Sequence, residues 1–248
     1  MKLIILAAGY ATRLYPLTRN VPKPLLPVAG KPMMEHVLDN IATIRAIDQA
    51  YVVTNAKFVS HFEKWAESYC PPDLQFKFTI VNDQSTDDSN KLGAIGDMHL
   101  VITKHQIDDD IIIVGGDNLF SNDLAEFGEF CEQKKAAVTA VYDVGDLEEI
   151  KKYNAIDIDA EGRITFFEEK PKVPKSTLTG IALYYYPKSV LPLIHQYIEE
   201  GNNPDQPGRL VQWLYPRVSF YTWKVPGLWY DVGSIETLEE ANRVFSKL

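Results

Sequence analysis

LAAGYATRLYPLTRNVPKPLLP, residues Leu6 to Pro27, follows directly on the apolar run Leu3-Ile4-Ile5. The run reads as a buried strand, and the glycine after it marks a turn. A glycine at a strand end lets the backbone approach a bound phosphate and offer N–H groups to it. Arg13 adds a fork of donors. Lys23 adds a point charge on a backbone stiffened by Pro22, Pro24 and Pro27. No Gly-Lys-Ser/Thr follows at the spacing of a Walker A loop, and no GxGxxG is present. The residues alone leave two options: a phosphate cradle at a strand end, or a surface loop whose cations face water.

Outward from this stretch, strand and helix alternate. The spacing predicts a helix from Pro32 to Ile44, with Met34, Val37, Leu38, Ile41 and Ile44 on one face. Strands are expected at Ala50–Thr54, Leu74–Val81, Asp110–Val114 and Ala137–Tyr142, with helices at Phe58–Ser68, Gly93–Lys104 and Asp123–Lys134 between them. Such alternation predicts a doubly wound, mostly parallel α/β sheet covered on both faces, with ligands beyond the carboxyl ends of its strands. Gly9 and Asp117 both fall at such ends.

The second half changes character. Asn154–Ile158 and Arg163–Phe167 flank Asp159 to Gly162 as a hairpin. A strand at Thr179–Tyr186, a helix at Pro187–Glu200, a shorter helix at Gly208–Tyr215, a strand at Val218–Trp223 and a last helix from Ser234 follow. This predicts an antiparallel lobe inserted in the second half. The chain divides into residues 1–142 and 143–248 of one unit, without linker, repeat or low-complexity tract.

The 248 residues are 46% hydrophobic and 24% charged, with a net charge of −9. That acidic balance argues against nucleic acid and anionic membranes as partners. Cys70 and Cys131 have no metal-like spacing and read as reduced thiols of a cytoplasmic protein. Neither a secretory leader nor an apolar run of membrane-spanning length is recognisable. The five histidines, His36, His61, His99, His105 and His195, form no metal spacing.

Three further stretches carry chemistry, each beside a plainer alternative. Asp117 ends a buried strand in VGGDN, as a metal ligand or as an Asx turn. Asp231, in WYDVGS before the last helix, is a second carboxylate or a cap. Glu168-Glu169-Lys170-Pro171 is an anion site or an exposed charge cluster at a hairpin end.

The opening stretch, continued by Gly30-Lys31-Pro32-Met33, resembles the signature of the sugar-1-phosphate nucleotidylyltransferases, which include the glucose-1-phosphate thymidylyltransferases. The resemblance covers Leu3 to about Ala241 and implies a Rossmann-like nucleotidyltransferase fold. It implies that Leu6, Ala7, Ala8, Gly9, Thr12 and Arg13 cradle a nucleoside triphosphate, with Gly116 nearby. It implies that Lys23 neutralises the leaving pyrophosphate, and that Asp117 and Asp231 hold Mg²⁺. The EEKP stretch resembles the family's own, where Lys170 binds the sugar phosphate and Glu169 accepts sugar hydroxyls. Gly180 resembles the glycine that lies against the sugar ring.

Two departures bear on substrates. Asn154 stands where many members carry glycine. It either marks an acceptor other than glucose 1-phosphate or takes a left-handed backbone conformation that asparagine tolerates. Gly180 is followed by Ile181-Ala182, where Leu-Tyr or Ile-Tyr is more usual. Asn82, Gln84 and Asn90, the last at the start of a helix, are the candidates for reading the base. They leave dTTP, UTP and CTP open. The expected reaction is attack of a sugar-1-phosphate on the α-phosphorus, giving an NDP-sugar and pyrophosphate. The rivals are cytidylyl transfer to a non-sugar phosphate such as phosphocholine, and a non-catalytic nucleotide-sugar sensor. A homo-oligomer is compatible with the sequence, which does not set the oligomeric state.

Overall fold

The computed structural model describes residues 1–69, 71 and 74–248. After β1 (Lys2–Leu6), a short antiparallel pair, β2 (Pro27–Val28) and β3 (Lys31–Pro32), leads into α1 (Met33–Ile41). Then come β4 (Gln49–Thr54), α2 (Val59–Ser68), β5 (Lys77–Asn82), α3 (Ala94–Lys104), β6 (Ile111–Gly115), β7 (Asn118–Phe120), α4 (Ala125–Lys134) and β8 (Ala137–Asp143). The second half holds α5 (Leu147–Ile150), β9 (Asn154–Ile158), β10 (Ile164–Glu169), β11 (Leu178–Tyr186), α6 (Leu191–Glu199), α7 (Pro207–Leu214), β12 (Phe220–Lys224), β13 (Trp229–Asp231) and α8 (Ile235–Phe245). Cys70 lies outside the described residues, and Cys131 is buried without a disulfide. Among the described residues, no helix is long and apolar enough to cross a membrane.

Seven strands form one sheet in the order β12-β8-β11-β6-β1-β4-β5. β1 pairs in parallel with β4 and β6, and β4 with β5. The expected α/β class holds. The second half supplies antiparallel pairings, as expected. β9 and β10 form their own hairpin, but β11 enters the main sheet between β6 and β8, antiparallel to both. The reason is burial: β11 is shielded from water along nearly its whole length, so both of its faces need cover.

Side chains alternate across the sheet, so each central strand feeds two cores. Leu3, Ile5, Ile112 and Val114 pack with α1, α2 and α4 on one face. Ile4, Ile111 and Ile113 pack with α3, α6 and α7 on the other. A third cluster joins Val28, Met33, Leu119 and Val232 to the apolar face of α8. Ser234 opens α8 through a reciprocal capping box with Thr237.

α3 begins differently. Its N-cap, Gly93, has φ +79°, and no side chain caps the helix. Instead, Ala94 N–H donates to the carbonyl of Asp205 at 3.1 Å and Ile95 N–H to that of Pro204 at 2.8 Å. A Cβ at Gly93 would lie 2.6 Å from the Pro204 carbonyl oxygen. Gly93→Ala therefore combines a left-handed backbone with a clash against main chain. It is expected to lower stability by ~2 kcal/mol, read as a thermal midpoint drop of roughly 5 °C.

Candidate active site

The short ladder between β7 and β13 sets Asp231 opposite Asn118. Asp117, one residue before Asn118, is thereby brought beside Asp231. Trp229 Nε1 donates to Asn118 Oδ1 at 2.8 Å, and Asn118 Nδ2 donates to Asp117 Oδ1 at 3.0 Å. The indole thus orients the amide, and the amide orients the carboxylate. Lys23 completes the group: its Nζ lies 2.5 Å from Asp117 Oδ2 and 3.7 Å from Asp231 Oδ1.

Lys23 reaches this position from a single 3-10 turn, Lys23–Leu25. Pro24 packs against Gly116, where a Cβ would meet the proline ring at 3.2 Å. Glycine at 116 therefore lets the lysine-bearing turn close on the strand end. Burial works against the Lys23 charge, but the two carboxylates outweigh it and hold the ammonium above its usual range. Burial also works against the Asp117 charge. The Lys23 charge and hydrogen bond outweigh it and hold this carboxyl below the usual range. Asp231 is pushed up, by burial and then by the negative charge of Asp117, which Lys23 and Arg13 offset only in part.

These residues line a cleft of about 510 Å³ at the carboxyl ends of β1 and β6. The opening loop forms one wall through Leu6, Ala8, Gly9, Thr12 and Arg13. Ala11 holds a left-handed φ of 47°, and its carbonyl accepts from Thr18 Oγ1 at 2.8 Å. Gly9, Tyr10 and Ala11 donate their backbone N–H groups to no main-chain carbonyl among the described residues. A Cβ at Gly9 would meet nothing within 4 Å, so the fold itself does not require glycine there. Arg13 is exposed and has no carboxylate within 4 Å among the described residues. Ala7 lies beneath the loop in the core, and Gly116 against Pro24, so neither lines the cleft.

The acceptor candidates gather around the start of β9 and line no part of this cleft. Asn154 opens β9 and is buried. Its Oδ1 accepts from Gly180 N–H at 2.7 Å, and its Nδ2 donates to the Gly180 carbonyl at 2.9 Å. The left-handed alternative for Asn154 is thus corrected: the residue is extended, and its amide serves as a strand partner for Gly180. Glu169 Oε2 is buried without a partner, and its carboxylate presses on Gly208, which has no room for a Cβ. Burial pushes Glu169 up, offset in part by Lys170 and then Arg209. Lys170 is exposed, holds φ +50° and donates its N–H to the Tyr153 carbonyl at 2.8 Å. Arg209 Nε donates to Gln206 Oε1 at 2.5 Å.

The base-reading candidates line no part of the cleft. Asn82 Oδ1 accepts from Gln84 N–H at 2.7 Å, and Gln84 is exposed with φ +66°. Asn90 does not start a helix. Its Oδ1 accepts from the N–H groups of Thr86 and Asp87 and closes its own loop, and α3 begins four residues later. The cleft wall is formed instead by Asp88, Lys91, Gly93, Ala94, Asp97, Asp205 and Pro207. Asp97 carried a signal in the sequence, since it shares the buried side of α3 with Ile95, Met98, Val101 and Ile102. A charge among such residues is seldom placed there for solubility.

Asp97 is 5% exposed. Burial, and next the negative charge of Asp83 with which it shares a hydrogen bond, push its carboxyl up to about 8. Asp83 is itself buried and accepts from Ser85 N–H at 2.7 Å and from its hydroxyl at 2.8 Å. His99 and His195 touch at 2.7 Å, but among the described residues no three His, Cys, Asp or Glu side chains gather as a metal site.

Two outcomes follow. The folded protein keeps the Asp97 proton up to about pH 8, whereas the unfolded chain releases it near 3.8. Stability from this group therefore falls as pH rises between those values. Asp97→Asn removes that slope and is expected to be the more stable protein at pH 8. Equal slopes in urea titrations of both proteins would show that the pair does not hold the proton. Asn154→Ala removes the side-chain acceptor of the Gly180 N–H and the shorter of two donors to its carbonyl, and is expected to cost about 1–3 kcal/mol in the same titrations.

The profile of the nucleotidyl transferase family matches residues 2–247. Among similar proteins, the bifunctional protein GlmU of Methanocaldococcus jannaschii is 28% identical over 246 residues, covering 98% of this chain and 54% of that protein. The UTP–glucose-1-phosphate uridylyltransferase of Synechocystis sp. is 30% identical over 253 residues, covering 98% and 63%. The chain spans about half the length of the first of these relatives. A crystal structure of UDP-glucose pyrophosphorylase complexed with UDP-glucose superposes with a TM-score of 0.82 over 99% of this chain and 98% of that one. At 21% identity, that likeness speaks for the fold alone. With a match from end to end, the chain belongs to the nucleotidyl transferase family.

Proposed function

We propose that the protein transfers a nucleotidyl group from a nucleoside triphosphate to a sugar 1-phosphate, releasing pyrophosphate. The observation that carries this is the meeting of Lys23, Asp117 and Asp231, from three separate segments, beside a loop whose Gly9, Tyr10 and Ala11 N–H groups and Arg13 guanidinium have no partner among the described residues. An acceptor phosphate is already an anion, so the reaction needs position and charge neutralisation rather than a covalent intermediate. The names of the similar proteins, among them a UTP–glucose-1-phosphate uridylyltransferase, support the same class of acceptor.

Asp117 and Asp231 suit a hard divalent cation. They are two neighbouring carboxylates whose mutual repulsion Lys23 relieves unevenly, and Mg²⁺ commonly uses one or two carboxylates plus phosphate oxygens. Magnesium held there would neutralise charge on the α-phosphate as it is attacked. The chain's own groups do the rest. The N–H groups of Gly9, Tyr10 and Ala11 and the Arg13 guanidinium bind the phosphates. Lys23, fixed by Asp117, receives the negative charge that builds on the departing pyrophosphate. Lys170 draws the acceptor phosphate toward the α-phosphorus, and Glu169 accepts hydroxyls of the sugar. In the step itself, an acceptor oxygen forms a bond to the α-phosphorus, and the bond to the bridging oxygen of the β-phosphate breaks.

Pyrophosphate release with Mg²⁺ tests this, crossing five nucleoside triphosphates with glucose, N-acetylglucosamine and mannose 1-phosphates and with phosphocholine. One active pair names both substrates, and phosphocholine as the sole acceptor would move the chain to the cytidylyl-transfer alternative. Lys23→Ala and Asp231→Asn are each expected to lower the rate on the order of 10²-fold or more. Turnover near the wild-type rate in either variant would remove that residue from the reaction.

A further inference from the structure

The cleft has an end that phosphate chemistry does not explain. Beyond the ion group it runs to the start of α3. Two of the donors expected of a helix start are occupied there, because Ala94 and Ile95 donate to the main-chain carbonyls of Asp205 and Pro204. Lys91 is held between carboxylates, 3.3 Å from Asp88 and 3.1 Å from Asp205. One turn into the helix, Asp97 lines the cleft with its side chain almost wholly buried, and its Oδ1 has no hydrogen-bond partner. Its carboxyl shares a hydrogen bond with Asp83, and a proton held between the two carboxyls leaves Oδ1 an acceptor. This end of the cleft therefore holds one buried acceptor that nothing among the described residues satisfies.

We propose that Asp97 selects the nucleobase, admitting a base with an exocyclic amino group (guanine, cytosine or adenine) and disfavouring thymine and uracil. This rests on the nucleotidyl-transfer reading of the same cleft. An amino N–H supplies what Oδ1 lacks. Thymine and uracil carry a single ring N–H between two carbonyl oxygens. Turned toward Asp97, it would bring those oxygens beside the carboxyl and against the first turn of α3, where the Ala94 and Ile95 N–H groups already donate. A polar group left unmatched in this way is what makes such sites selective.

Calorimetric binding of GTP, CTP, ATP, UTP and dTTP with Mg²⁺ tests the proposal. At least one of the first three is expected to bind roughly tenfold or more tightly than UTP and dTTP. Asp97→Ala should bring that ratio close to one. Asp97→Asn should keep it, because the amide can donate to Asp83 and still present an acceptor oxygen. Tightest binding of UTP or dTTP, or an unchanged ratio in folded Asp97→Ala, overturns the proposal and leaves nucleotide binding standing. Binding of none of the five by folded wild-type protein overturns both. The wild-type ranking alone decides the matter where Asp97→Ala does not fold.

Discussion

One lysine between two carboxylates governs the arrangement of this molecule. Lys23 is only 12% exposed, and a buried ammonium is tolerated only where opposite charge is at hand. Asp117 and Asp231 supply that charge, but only because other constraints bring them there. The β7–β13 ladder fixes their separation, the Trp229–Asn118 bond fixes the rotamer of Asp117, and the Pro24–Gly116 contact fixes the turn that carries Lys23. Removing Lys23 would leave two neighbouring carboxylates without a counter-charge in a low-dielectric place, so the group is a structural demand as well as a chemical one.

The backbone around Asn154 and Gly180 is held by different contacts. There the sheet ends in irregular backbone, and a side-chain amide stands in for a strand. Asn154 satisfies both polar groups of Gly180, which lies where β11 begins and the β8–β11 register shifts. Two residues on, Ala182 lines the cleft where a larger residue is usual in the resembling family. The asparagine thus fixes the backbone beside a widened floor rather than reaching into the cleft itself.

Much of this was legible in the sequence. Continuous apolar runs such as Ile111 to Val114 read as strands covered on both faces, and Gly9 and Asp117 stood at strand ends. What stayed hidden was long-range pairing of short segments. Asn118–Phe120 and Trp229–Asp231 are three residues each, too short to show periodicity, yet their ladder builds the site. Asn90 was misplaced because a loop asparagine that bonds its own backbone looks the same in sequence as a helix cap. Asp97 belongs to no motif, and only its apolar neighbours on α3 mark it as buried.

The spacing of these contacts along the chain has a consequence for how the protein folds. Lys23 and Asp117 are 94 residues apart, and Asn118 and Trp229 are 111 apart. Closing such loops costs entropy before any contact returns it, so high contact order makes them late events. The ion group cannot form in a chain emerging from synthesis until Trp229 to Asp231 has been made and docked. Sheet and helices of the first half can pair earlier from nearer neighbours. Chemical competence is therefore among the last properties the chain acquires, and its gain reports completion of the whole topology.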